Sequence, residues 1–137
     1  MAFVVDASVA MGWLLHSQAD RYTSTAEAAL INSPGWIPCH FGIEILRSLR
    51  SQERRNLLPA QAVDEAISRL LDFPLQQDAD DALEHIPTIV ALARREGLRV
   101  GDAGYLELAM RLDLPLATRD RALARAAERS GVSVFGR

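Results

Sequence analysis

The sequence has 137 residues, so we expect one domain over residues 1–137. The formal net charge of −3 gives no global case for nucleic-acid binding, and a single cysteine, Cys39, excludes an intrachain disulfide. The chain has no lysine, which excludes any mechanism that needs a catalytic lysine. Asp6 interrupts the first apolar run, and no run approaches the roughly 20 residues that span a bilayer. We therefore expect a cytoplasmic protein without a membrane segment.

Short apolar segments that suit buried strands alternate with helical patterns along the chain. Strands are predicted at residues 3–5, 36–38, 116–118 and 132–135, with an edge strand at 73–75. Helices are predicted at residues 7–15, 25–32, 40–54, 78–96 and 103–112, and also from residues 58 and 121 onward. Residues 16–23 are predicted to be a loop, and Pro87 should kink its helix or mark a new start. This alternation predicts an α/β fold with helices on both faces of a mostly parallel sheet.

Four acidic residues occupy comparable places in this pattern. Asp6 ends the first strand, Asp120 follows the strand at 116–118, Asp102 stands where a helix N-cap is expected, and Glu44 lies in the helix at 40–54. If Asp6 and Asp120 end adjacent parallel strands, and the helices of Glu44 and Asp102 start over the same edge of the sheet, all four acids converge there. Two carboxylates about 5 Å apart repel by roughly 3 kcal/mol at an effective dielectric of 20. A divalent cation removes this repulsion, and an all-oxygen ligand set favours Mg²⁺ or Mn²⁺.

Each acid also has a structural interpretation. Asp102 and Asp120 fit simple N-caps, and Glu44 alone would be a surface residue of its helix. Three other protein classes fit the sequence poorly. A phospho-receiver domain needs a late lysine, a dinucleotide-binding domain needs G-x-G-x-x-G after its first strand, and a haloacid dehalogenase phosphatase needs an aspartate where Ser8 stands.

Three segments resemble, in order, the pattern of PIN-domain proteins, and look most like VapC-type toxins of bacterial toxin–antitoxin pairs: VVDASVAMGWLL, IPCHFGIEILRSL and GDAGYLELAMRLDLPLATRD. The strongest pieces are Asp6-Ala7-Ser8, the spacing from Pro38 to Glu44, Asp102-Ala103 with Tyr105-Leu106, and Thr118-Arg119-Asp120. The resemblance implies a PIN-like three-layer α/β/α sandwich with a central, mostly parallel sheet of roughly four to five strands. It also implies a metal-dependent endoribonuclease that hydrolyses RNA.

The resemblance assigns roles to particular residues. It implies that the acidic cluster Asp6, Glu44, Asp102 and Asp120 is catalytic and binds Mg²⁺ or Mn²⁺, supported by the hydroxyls of Ser8 and Thr118. It further implies a homodimer and a cognate, VapB-like antitoxin that covers the acidic groove. Arginines near these motifs are candidate contacts to RNA phosphates: Arg47, Arg119 and Arg121. The alternative is a non-catalytic PIN-fold binding module whose acids serve as helix caps.

Two positions depart from the family pattern. Gly101 precedes Asp102 where the family usually has tyrosine or a similar residue, and Arg47 stands where asparagine is common. Arg47 shares a helix face with Glu44, so it should either pair with that carboxylate or contact the RNA backbone, and we favour the RNA contact. His40 lies one helical turn from Glu44, so it either reaches the site or caps its helix, and we favour the capping role. Tyr105 is a candidate for base stacking.

Overall fold

The computed structural model describes residues 1–80 and 83–137. Its strands are β1 (Phe3–Val5), β2 (Gly35–Ile37), β3 (Leu75–Gln77) and β4 (Leu116–Ala117). Its helices are α1 (Ala7–Leu14), α2 (Arg21–Ala29), α3 (Phe41–Arg54), α4 (Ala60–Asp72), α5 (Ile86–Glu96), α6 (Val100–Leu112) and α7 (Arg121–Arg129). Short 3₁₀ turns occupy His16–Gln18 and Leu83–His85.

The four strands form one fully parallel sheet with the order β3-β2-β1-β4. β1 is an inner strand of this sheet, and its three residues, Phe3, Val4 and Val5, are almost completely buried, as the apolar run predicts. Val5 pairs with Ala117 of β4, so the carboxyl ends of these two strands are neighbours. The fold thereby meets the condition under which Asp6 and Asp120 approach each other.

The helices form two packed groups that flank the sheet. α1 contacts α2, α3 and α4, while α6 contacts α5 and α7 and also packs on β1 and β4. The predicted α/β/α sandwich with a parallel sheet is therefore confirmed. Within the described ranges, no helix combines the length and apolarity needed to cross a bilayer.

The second helix begins earlier than predicted. α2 starts at Arg21 because the Asp20 carboxylate accepts a 2.7 Å hydrogen bond from the Thr23 backbone N–H, and Thr23 Oγ1 accepts one from the Asp20 N–H at 3.0 Å. This capping box fixes the first turn inside the stretch that we predicted to be a loop. The predicted helix over residues 25–32 and the loop over 16–23 are therefore wrong in their boundaries.

The helix predicted over residues 78–96 begins too early, and the alternative that Pro87 marks a new start is confirmed. α5 begins only at Ile86, and Pro87 stands in its first turn, where a missing N–H carries no penalty. Asp78 lies outside any helix and pairs with Arg111 Nη2 at 2.7 Å. Residues 81–82 of the predicted helix lie outside the described residues. Gly97 ends α5 in a left-handed conformation, with φ of 65°.

Two predicted strands differ in extent. The edge strand starts at Leu75, just after Pro74, because proline has no N–H to give to a sheet ladder. The strand predicted at 132–135 is reduced to one parallel bridge between Val134 and Leu116. Gly131, with φ of 77°, turns the chain immediately before this bridge.

Candidate functional site

A groove of about 660 Å³ lies where β1 and β4 end. All four predicted acids line it, although they come from four separate elements. Asp6 follows β1, Glu44 lies in the first turn of α3, Asp102 lies in the first turn of α6, and Asp120 precedes α7. The structure therefore brings together four carboxylates that lie far apart in the sequence, between positions 6 and 120.

Two hydroxyl groups hold Asp6 at the base of the groove. Asp6 Oδ2 accepts hydrogen bonds from Ser8 Oγ at 2.9 Å and from Thr118 Oγ1 at 2.6 Å. The same hydroxyl oxygens accept backbone N–H groups, Ser8 Oγ from Arg119 at 3.1 Å and Thr118 Oγ1 from Asp120 at 3.0 Å. Ser8 and Thr118 thus join the ends of β1 and β4. They fix one oxygen of Asp6, and its Oδ1 makes no hydrogen bond to any described residue.

Burial raises the pKa of Asp6 from 3.8 to about 6, because an anion loses hydration inside the protein. The hydrogen bonds from Thr118 and Ser8 act in the opposite direction, since they stabilise the ionised form. The negative charges of Asp102 and Glu44 raise the pKa further. Asp6 is thus an anion that a nearby cation would stabilise.

Glu44 is fixed by a buried tyrosine. The hydroxyl of Tyr105 donates a 2.6 Å hydrogen bond to Glu44 Oε1, and burial raises the pKa of Tyr105 well above its usual value, so the hydroxyl stays protonated. A Cβ atom at Gly101 would lie only 2.5 Å from Glu44 Oε2. The departure at Gly101 therefore gives the Glu44 carboxylate room beside α6. Because Tyr105 is fully buried, the predicted base-stacking role is wrong.

His40 joins α3 to α6 instead of capping its own helix. It occupies the N-cap position of α3, but its side chain makes no capping hydrogen bond, so the predicted capping role is wrong. Its Nε2 donates to the Gly101 carbonyl oxygen at 2.9 Å, and its ring meets the Tyr105 ring edge-on with centroids 4.9 Å apart. A Cβ at Gly104 would lie 2.5 Å from His40 Cε1. Two glycines of α6 thus admit the side chains of α3 that face the groove.

Asp102 is the third residue of α6 and not its N-cap. The helix begins at Val100 with Arg99 at the N-cap, so the predicted capping role is wrong by one turn. Burial raises the pKa of Asp102, and the charges of Asp120 and Glu44 add to this effect. Arg99 opposes it, with Nε 3.6 Å from Asp102 Oδ2, but this arginine is 88% exposed and its pairing is weak.

Asp120 serves partly as a helix cap. Its Oδ1 accepts hydrogen bonds from the backbone N–H groups of Ala122 at 2.9 Å and Leu123 at 3.1 Å. This contact confirms the N-cap interpretation for one oxygen. The other oxygen, Oδ2, makes no hydrogen bond to a described residue, and Asp120 also lines the groove. A cap and a cation ligand are therefore compatible at this residue.

The predicted phosphate-contacting arginines lie in different environments. Arg47 is exposed and lines the groove, and it forms no ion pair within the described part of the chain. The intrahelical pair with Glu44 is absent, and Glu44 bonds to Tyr105 instead. Arg121 is exposed in the first turn of α7, outside the groove lining.

Arg119 lines the groove but is engaged in structural contacts. Its Nη1 donates to the Gln18 carbonyl oxygen at 2.6 Å, and its Nε donates to the Ser8 carbonyl oxygen at 2.9 Å. Nη2 also donates to the Ser8 oxygen, and Nη1 lies 3.3 Å from Asp20 Oδ2. These contacts bind the β4–α7 turn to the segments around α1, and they occupy the guanidinium group.

The donor set of the groove fits a hard divalent cation. Its acids offer only oxygen ligands, and burial raises the pKa of Asp6 and of Asp102 more than their neighbouring hydroxyl and guanidinium groups lower it. A more compact group, separate from the groove, is formed by Asp80, Glu84 and His85, whose candidate ligand atoms lie within 4.8 Å of one another. The first two of these side chains are exposed, and exposed acids commonly cluster without a metal.

Comparison with protein-family models matches the PIN domain to residues 3–129. The chain belongs to the PIN domain family. A curated relative is Ribonuclease VapC3 of Mycobacterium tuberculosis, in strains CDC 1551 / Oshkosh and ATCC 25618 / H37Rv. It is 38% identical over 123 residues, which cover 90% of this chain and 85% of the relative. The predicted likeness to VapC proteins is confirmed.

Solved structures share the PIN fold of this chain at low sequence identity. The crystal structure of VapBC2 from Rickettsia felis bound to a DNA fragment from their promoter matches with a TM-score of 0.70 and 11% identity, covering 98% of this chain and 97% of that chain. The crystal structure of FitAcB from Neisseria gonorrhoeae matches with a TM-score of 0.66 and 17% identity, covering 98% and 96%. These likenesses confirm the fold.

Arg99, which lines the groove of this PIN domain, was not predicted, and neither were the contacts that Tyr105 and His40 make beside it. Tyr105 and His40 act on the groove through contacts across 61 sequence positions, which no local pattern reveals. Arg99 was detectable, because it precedes Asp102 by three residues at a helix start, where two side chains share a face.

Proposed function

We propose that this PIN domain protein is an endoribonuclease toxin that hydrolyses RNA phosphodiester bonds with bound Mg²⁺ or Mn²⁺. The observation that carries the proposal is the convergence of four carboxylates on one groove, two of them with raised pKa values. The 38% identity to a protein named Ribonuclease VapC3 supports the activity. The RNA substrate belongs to the tRNA, rRNA or mRNA class.

The acids divide into two kinds of role. Asp6, Asp102 and Asp120 would hold the cation, and the first and last of these each keep one carboxylate oxygen free of hydrogen bonds. Tyr105 fixes Oε1 of Glu44, and Glu44 would ligate the cation or orient the attacking water through its other oxygen, Oε2. When bound, the cation supplies Lewis-acid chemistry that polarises the scissile phosphate and neutralises the charge developing on it.

Supporting residues act through these acids. Ser8 and Thr118 orient Asp6 by donating to its Oδ2, so their loss would misplace the carboxylate without removing charge. Arg47 lines the groove without an ion pair to any described residue and would contact a phosphate of the RNA. Arg119 and Arg121 remain weaker candidates, since the first is bonded to backbone carbonyls and the second lies outside the groove.

A cognate, VapB-like antitoxin is the proposed partner, and it would cover the acidic groove. The likeness to VapC3 and to a structure described as VapBC2 supports this proposal. We also propose that the protein is a homodimer and that it acts in the cytoplasm, where its RNA substrates are present.

The competing proposal is a PIN-fold binding module without catalysis. The capping of α7 by Asp120 favours it, because this contact gives one oxygen of the acid a structural use. The module would need no cation, and neutralising Asp6 would leave its function intact. Cleavage therefore separates the two proposals.

A cleavage assay tests the proposed function. The purified protein is incubated with total RNA and with tRNA in Mg²⁺, in Mn²⁺ or in EDTA, and the cut ends are mapped. We expect discrete cleavage with either metal, no cleavage in EDTA, and loss of at least about a hundredfold in rate for Asp6→Asn and Asp120→Asn, since removal of one electrostatic contact to a transition state has effects of this order. Asp64→Asn, at an exposed position of α4, is the matched control. Cleavage that survives EDTA or Asp6→Asn would contradict the proposal.

A further inference from the structure

A second cleft lies next to the groove and is lined mainly by arginines. It has a volume of about 390 Å³, and its lining residues are Arg47, Arg50, Ser51, Arg54 and Arg55. Arg47 lines both this cleft and the acidic groove, so the two cavities meet at this residue. We call the surface formed by the four arginines the α3 arginine face. A continuous path therefore runs from the four acids to a concentrated positive charge.

The α3 arginine face has the spacing of a backbone-binding track. Arg47, Arg50 and Arg54 stand at i, i+3 and i+7 of α3, which places them on one side of the helix. At 1.5 Å per residue, the first and last of them are about 10 Å apart along the helix axis. An RNA strand that runs along this side of α3 would therefore pass all three guanidinium groups in turn.

The arginines of this face are available to a ligand. Arg47, Arg54 and Arg55 form no ion pair within the described ranges, unlike Arg111 and Arg119, which are engaged in buried or partly buried contacts. Arg50 pairs with Glu53 at 2.7 Å, but its side chain is 61% exposed, and such pairs contribute only about 0.2–1 kcal/mol. The helix dipole explains an arginine in the last turn of α3, but not the two arginines that precede it.

Electrostatics identify the kind of ligand. The floor of the groove carries four carboxylates and the whole chain has a net charge of −3, so an RNA strand is repelled unless a local positive surface holds it. We propose that the α3 arginine face binds the phosphate backbone of the RNA strand as the strand leaves the acidic groove. This inference rests on the proposed function and names the surface that retains its substrate.

The test measures RNA binding in an Asp6→Asn background, so that cleavage does not consume the probe. Arg54→Gln/Arg55→Gln removes two charges that are distant from the acids, and Arg94→Gln/Arg125→Gln removes two charges from exposed positions of α5 and α7 that line neither cavity. The affinity for a short, unstructured single-stranded RNA is measured at several salt concentrations. We expect the first pair to reduce the log–log salt slope by about 0.7 per lost contact, or about 1.4, and the control pair to leave it unchanged.

Arg54→Lys/Arg55→Lys keeps both charges and should retain the slope, because lysine also binds phosphate as a point charge. An unchanged slope in the glutamine pair, or an equal loss in the control pair, overturns the inference while the proposed function stands. If the Asp6→Asn parent binds RNA with the expected slopes but the wild type cleaves none, the proposed function fails and the arginine face stands. Tighter binding of a polyglutamate peptide than of RNA, weakened by the same substitutions, would assign the face to an acidic protein and overturn the inference.

Discussion

At the scale of single residues, Asp6 is a deeply buried carboxylate that accepts hydrogen bonds from two hydroxyl groups. Two hydrogen bonds stabilise its ionised form, yet burial prevails and its pKa is raised. The metal-free protein therefore loses stability when this carboxyl ionises. Such a residue is useful at a cation site, because the binding of the cation removes the conflict.

The raised pKa predicts a specific pH dependence. Because the native state holds the Asp6 proton more tightly than the unfolded state, the metal-free protein should lose stability as pH rises from 3.8 to about 6. The loss approaches about 3 kcal/mol at most and is complete above that window. Asp6→Asn lacks this titration, so its free energy of unfolding relative to wild type should increase over the same window. Urea unfolding in EDTA at several pH values measures the difference.

Asp64→Asn is the matched control, since this exposed position on α4 should show no such increase. A constant difference between Asp6→Asn and wild type from pH 4 to pH 7 would contradict the electrostatic account of Asp6.

The position of two acids at the groove could be predicted from their places in the chain. Asp6 and Asp120 were recognisable because each follows an apolar strand. The partner of Glu44 was not recognisable, because Tyr105 lies 61 positions away and only the packing of α3 on α6 brings them together. Arg119 was recognised as a cation at the groove, but its backbone contacts come from Ser8, 111 positions earlier.

At the scale of elements, the contact of α3 with α6 shapes one wall of the groove. His40 and Glu44 occupy the space that side chains at Gly104 and Gly101 would fill. Packing therefore requires glycine at both positions, although glycine lowers the helix propensity of α6.

Gly104→Ala should destabilise the protein, because the new Cβ would lie 2.5 Å from His40 Cε1 and the His40 ring is held by the Gly101 carbonyl and by Tyr105. Overpacking of this kind costs about 1–3 kcal/mol, which exceeds the gain of about 0.5–1 kcal/mol in helix propensity. Gly42→Ala in α3 is the control, since its Cβ would have no neighbour within 4 Å, and it should be neutral or stabilising. The measurement is the free energy of unfolding in urea. Equal stabilisation by both substitutions would refute the packing role of Gly104.

Helix and strand boundaries could be predicted where a single residue fixes the end of the element. Gly97 and Pro59 mark helix ends as expected, since glycine permits the left-handed turn that ends α5 and proline fixes the backbone just before α4. The start of α2 does not follow from apolar spacing, because its first turn is polar and is fixed by the capping box of Asp20 and Thr23. The final strand shrinks to one bridge at Val134, which is set by tertiary contact and not by β propensity.

At the scale of the whole molecule, the strand order decides the site. The alternation of strands and helices predicts a parallel sheet, but it does not determine which strands are adjacent. The order β3-β2-β1-β4 places the ends of β1 and β4 side by side, and the acids of α3 and α6 complete the groove. We propose that these four carboxylates together form one divalent-cation site.

The most direct test of this claim is the effect of Mn²⁺ on the free energy of unfolding of wild type, Asp6→Asn and Glu84→Gln. Glu84 belongs to the separate group with Asp80 and His85, so its variant controls for metal bound there. At a hundredfold excess of Mn²⁺ over its Kd, wild type and Glu84→Gln should each gain about 2.7 kcal/mol, and Asp6→Asn should gain much less. No gain in wild type, or a gain that persists in Asp6→Asn and disappears in Glu84→Gln, would contradict the assignment of the cation site to the groove.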